Sequence, residues 1–105
     1  MKTFHHIGIP TTKERAGETY LEGANLFITD PEASENRIEW LRFEEGSPLP
    51  EVLKTTAHVA FRVDDLDAAL EGQEILMEPF EPMEGVRVAF ILEDGAPVEL
   101  MQIAG

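Results

Sequence analysis

Residues 4 to 10 read FHHIGIP and residues 57 to 63 read AHVAFRV. Each run places a histidine near the start of a short apolar stretch with a strand-like period, His6 in the first and His58 in the second. Two later stretches repeat one another in the same way: RIEWL carries Glu39 and PVELM carries Glu99, each glutamate in the middle of an alternating segment. One strand histidine is ordinarily a hydrogen-bonded structural residue. A histidine and a glutamate that each recur in matching context point instead to a duplicated site. Two imidazoles and two carboxylates that converge would form an N/O donor set suited to zinc, nickel, cobalt, manganese or ferrous iron, more than to calcium or magnesium. Four protein ligands leave two octahedral positions for water or substrate. A divalent cation would also offset the mutual repulsion of two glutamates facing one cavity.

The elements that must position these residues are legible as a repeat of roughly 50 residues. A strand from Thr3 to Ile9 ends at Pro10, which has no N–H to give a ladder. Residues 11 to 24 contain Gly17 and Gly23 and a weak helical stripe, enough for one or two turns of helix. Strands are expected over 25 to 29 (NLFIT) and 37 to 43 (RIEWLRF), with the turn formers DPEASEN between them. Pro48 and Pro50 mark a connection, so that a first module covers 1–46, a linker 47–56 and a second module 57–105. The second module opens with AHVAFRV and continues into a short helix capped by Asp64 or Asp65 and ended by Gly72. EILMEPFEPMEG is expected to be broken by Pro79 and Pro82. VRVAFIL (86 to 92) then turns through Asp94-Gly95 into PVELMQI, 97 to 103.

Alternation assigns faces. His6, Gly8 and Pro10 share one side of the first strand and His5, Ile7 and Ile9 the other; His58, Ala60, Arg62 and Asp64 oppose Val59, Phe61 and Val63. The valine and phenylalanine side belongs under the helix, which leaves both histidines on the opposite, concave side among small residues. A one-residue slip would exchange His5 for His6; otherwise His5 is structural. Arg62, two residues beyond Ala60, suits the carboxylate of an acid substrate, Arg37 stands in the same relation to Glu39, and Met101 lies beside Glu99. Trp40 faces away from Glu39 and reads as core.

Composition sets the remaining bounds. With 105 residues the chain fits one compact domain. The 21 acidic residues against 8 basic ones give −13, which repels phosphate backbones and anionic lipid; nucleic acid and membrane surfaces are not expected partners. No apolar run approaches the ~18 residues of a membrane span, and MKTFHHIGIP does not read as a secretory signal. The lack of cysteine fits a reducing compartment, so a cytoplasmic location is expected.

HHIGIP at the start, HVAFRVDDLDAAL in the middle and VRVAFILEDGAPVELMQ at the end resemble the vicinal oxygen chelate superfamily, which includes glyoxalase I, methylmalonyl-CoA epimerase, extradiol dioxygenases and the fosfomycin and bleomycin resistance proteins. The resemblance implies an α+β fold in which two βαβββ modules form a cupped mixed sheet around one divalent metal ion (zinc, nickel, manganese or iron), here with the first module shortened. Carried over residue by residue, the ligands are His6, Glu39, His58 and Glu99. It further implies isomerase, epimerase or lyase chemistry on a small oxygen-chelating substrate, with an enediolate-like anion and with Glu99 or Glu39 shuttling the proton. An extradiol-type dioxygenase using ferrous iron at His6, His58 and Glu99 is one alternative, and a non-catalytic protein that binds a small molecule such as an antibiotic is another. Because a shortened module closes the cup poorly and leaves strand edges to cover, a homodimer is expected.

Overall fold

The computed structural model describes residues 2–104. Strands run over Lys2–Pro10 (β1), Thr19–Leu21 (β2), Leu26–Ile28 (β3), Ile38–Phe43 (β4), His58–Val63 (β5), Glu74–Met83 (β6), Val86–Glu93 (β7) and Ala96–Ile103 (β8), with α-helices at Glu51–Thr55 (α1) and Leu66–Leu70 (α2). The chain is α+β, and its strands are hydrogen-bonded in the order β2-β3-β4-β1-β5-β8-β7-β6. Two compact units divide it: His6–Ala57, and His58 onward together with the residues up to His5. No helix among the described residues is long and apolar enough to cross a membrane.

Both units are built alike. In each, the last strand pairs in parallel with the opening strand and antiparallel with the strand before it. β4 lies beside β1 with Gly8 opposite Glu39, and β8 lies beside β5 with Ala60 opposite Glu99. The hairpin β7–β8 turns through Asp94 and Gly95, whose φ angles of 50° and 85° suit the primed turn that Asp-Gly favours.

In the second unit α2 covers one face of the sheet. The Asp65 carboxylate caps it by accepting from the Ala68 N–H. Leu66 and Val63 are buried there with Ala89, Ile91, Val98 and Leu100, against partly buried Val59 and Phe61. This face is the expected helix side of β5.

Among the described residues the first unit has no such helix between β1 and β2. Over 11 to 24 the helical content is a 3₁₀ turn, Glu22–Ala24, and β2 and β3 have three residues each. The face carrying Trp40 and Arg42 is covered instead by the preceding loop. The Arg15 guanidinium lies 3.9 Å from the Trp40 ring centroid, and Arg42 lies 4.2 Å from that of Phe27. Glu18 accepts two hydrogen bonds from Arg42, at 2.9 and 2.7 Å. Trp40 is thus roofed by an arginine and not enclosed in an apolar core.

Those hydrogen bonds hold the Glu18 carboxyl below the usual carboxylate range. Because its folded value is depressed, the stability it contributes is present above the unfolded value and is lost as pH falls through the folded one. Glu18→Gln is therefore expected to lower the urea midpoint at pH 7 and to have little effect at pH 3. An equal loss at both pH values would mean that the ion pair is not what holds the loop.

Two expectations need correction. The segment 47–56 is not a free linker. Ser47 is buried and donates to the Ala24 carbonyl at 2.6 Å, Lys54 donates to the Ser47 carbonyl at 2.8 Å, and Leu49 packs on the cluster of Leu26, Ile28 and Leu41. Pro50 sets up α1, in which Leu53 is only 2% exposed. Likewise Pro79 and Pro82 do not break β6. They fall where its register with β7 shifts, between Met77 and Phe80 and between Phe80 and Met83. β6 is the last strand in the order, where a missing N–H costs no interior ladder.

Candidate metal centre

Each unit carries one imidazole–carboxylate pair, and the same local geometry makes both. In β1, His6 precedes by two residues the glycine that faces Glu39, so the side chains share a face and Gly8 leaves room for the carboxylate. His6 is 1% exposed, and its Nε2 is 3.4 Å from Glu39 Oε1. In β5, His58 precedes by two residues the alanine that faces Glu99, and its Nε2 is 3.0 Å from Glu99 Oε1. Phe90, opposite Glu99 in the β7–β8 ladder, meets the His58 ring edge-on with centroids 5.1 Å apart.

His6, Glu39, His58 and Glu99 each offer a ligand atom within 4.8 Å of the others, and this group could hold a metal ion. At metal–ligand distances of ~2.0–2.2 Å, adjacent ligands of one ion are ~3 Å apart and opposite ligands ~4.2 Å. The separations within the two pairs, 3.4 and 3.0 Å, are close to those of adjacent ligands. Two ionised carboxylates with two neutral imidazoles carry the charge that one divalent cation balances.

The other expected residues are placed as follows. His5, one residue away in β1, is half-buried and is not in the group. Met101 is buried with Ala60 and Val88 on the Glu99 face of the sheet. Arg62 is exposed, opposite Met101 in the ladder, and its Nη2 donates to the Ile103 carbonyl at 3.4 Å. Arg37 lies outside β4, in a turn with φ +57°, where strand alternation does not apply; its carbonyl accepts from the Ile7 N–H. Phe90 was not anticipated, although counting outward from Asp94-Gly95 along the hairpin sets it against Glu99. A cavity of about 340 Å³ opens on the α2 face of the sheet, lined by Phe61, Ile91 and Leu100 among others, and none of the four residues of the group lines it.

A crystal structure of a hypothetical protein from Bacillus halodurans C-125 has a similar fold, with a TM-score of 0.74 and 21% identity over 99% of this chain and 96% of that one. No protein-family model matches the chain, and no curated protein matches it.

Proposed function

We propose that His6, Glu39, His58 and Glu99 hold one divalent ion and that the chain is a metal-dependent enzyme of the vicinal oxygen chelate type. It would carry out glyoxalase- or epimerase-like proton transfer, as an isomerase or lyase, on a small substrate with two adjacent oxygens. The observation that carries this reading is the doubled register: in both units a histidine stands two residues before a small residue that faces a glutamate. A zinc, nickel, manganese or iron ion at such a site supplies a Lewis acid for the adjacent oxygens and acidifies the neighbouring C–H. The two glutamates are not equivalent. Glu99 is held at 3.0 Å by an imidazole that Phe90 supports, whereas Glu39 stands 3.4 Å from its histidine. Glu99 is therefore assigned as the anchor and Glu39 as the group that takes and returns the proton.

Deuterium exchange into a panel of small α-hydroxyketones, followed by NMR on the zinc-loaded protein, tests the assignment. Glu39→Gln is expected to lower the exchange rate by about 10²–10⁴-fold while the protein keeps one ion per chain. Unchanged exchange in that variant would remove Glu39 from the chemistry. The wider His6–Glu39 separation also suits a second reading, an extradiol dioxygenase with iron at His6, His58 and Glu99. Oxygen uptake with catechols by iron-loaded protein would favour that reading.

A further inference from the structure

We propose that the cavity on the α2 face of the sheet is a second ligand site, which takes an uncharged aromatic compound of two fused rings. The proposal does not depend on the metal-centre reading. Val59 alternates with His58, and Val98 and Leu100 with Glu99, so the cavity and the imidazole–carboxylate pair lie on opposite faces of the same strands. Every residue that lines it belongs to the second unit.

The cavity arises from a mismatch of lengths. The five residues of α2 rise about 7 Å before Gly72, at φ +76°, turns the chain away, whereas the six residues of β5 extend about 20 Å. The helix therefore covers the sheet at Val63 and Ala89 and leaves it open at Val59, Ile91 and Val98. Ala69 is the α2 residue at the gap, and its methyl group does not fill it. Ile91, Val98 and Leu100 are buried beneath the cavity, while Val59, Phe61 and Ala69 around it are half-buried and would lose further apolar surface to a ligand.

Volume and charge set the ligand class. A cavity of ~150 Å³ with an aliphatic and aromatic lining holds benzene; about 340 Å³ suits two fused rings. Lys2, Gln73 and Glu93 stand exposed at the lip, one cation, one amide and one anion. The Lys2 ammonium lies 4.7 Å from the Phe61 ring centroid. A charged ligand would meet a like charge there as well as an opposite one, and the chain as a whole, at −13, disfavours anions. An uncharged ring loses nothing to either.

Titration of the full chain with naphthol, read by methyl NMR in buffer containing a chelator, tests the proposal. Saturable shifts are expected for the methyls of Val59, Ile91, Val98 and Leu100, and the same shifts are expected for zinc-loaded protein. Naphthoate is expected to bind at least about tenfold more weakly. Ala69→Phe and Val59→Phe fill the cavity from the helix and from the strand, and each is expected to abolish the shifts. Scattered or unsaturable shifts in the wild type, a requirement for zinc, or equal binding of naphthoate overturns the proposal without any variant. Undiminished binding in both folded variants does the same. If dilution of the wild type alone moves these methyls, a second copy of the chain fills the cavity and the proposal falls.

Discussion

Chelator-stripped protein is expected to take up one zinc ion per chain and to melt about 10–20 °C higher once free zinc exceeds the dissociation constant a hundredfold. A hundredfold excess is worth about 2.7 kcal/mol of native-state stabilisation, and a domain of this size gains about 4–8 °C per kcal/mol. Glu99→Gln is expected to weaken zinc binding by about 100-fold or more, because it removes an anionic ligand and leaves the buried His58 imidazole beside a neutral amide. His6→Ala, in the other unit, should do the same. If zinc, nickel and manganese all fail to shift the melting temperature, or if Glu99→Gln binds zinc as the wild type does, the four residues are two structural hydrogen-bonded pairs. The reading of the chain as a metalloenzyme would then fall.

Leu53→Ala is expected to destabilise the protein by about 2–5 kcal/mol, the usual cost of truncating a fully buried leucine. Leu53 is 2% exposed in α1, within the segment that composition marks as a connection. Its helical neighbour Glu51 carries an 80% exposed side chain, and Glu51→Ala should change stability by less than about 0.5 kcal/mol. Chemical denaturation of the two variants separates a packed segment from a passive tether. A neutral Leu53→Ala would show that the segment contributes nothing to the first unit.

The two His–Glu pairs were legible because two regularities met on them. Period-two alternation fixes which residues of a strand share a face, and the duplication of His6 and Glu39 in His58 and Glu99 makes coincidence a poor explanation. The β7–β8 register was equally open to reading, since Asp94-Gly95 admits few turns. What escaped the sequence depends on neighbours. The α1 helix has five residues, too few for a 3.6-residue period to show, so nothing in its sequence announces the burial of Leu53. The prolines of β6 are harmless only because of the place that strand takes in the order, which no local pattern records. The face of Trp40 and Arg42 is closed by cation–π contacts and an ion pair, and a search for apolar helical stripes does not detect either. Arg37 leaves the alternation through one left-handed residue at the entrance to β4.

The parallel pairing behind each His–Glu pair also sets an order of events when the chain folds. The β7–β8 hairpin closes across two residues and needs little search. Ala60 meets Glu99 only by closing a loop of 39 residues, and Gly8 meets Glu39 by closing one of 31. Such non-local closures are the slow steps of small β-rich domains. His6, Glu39, His58 and Glu99 therefore come together only after both have happened, so a cation would find no complete group on the nascent chain. An ion that binds after the rate-limiting barrier leaves the speed of folding unchanged and slows escape from the native state. On the proposed metal centre, an ion would act as a latch on a finished fold and not as a template for it.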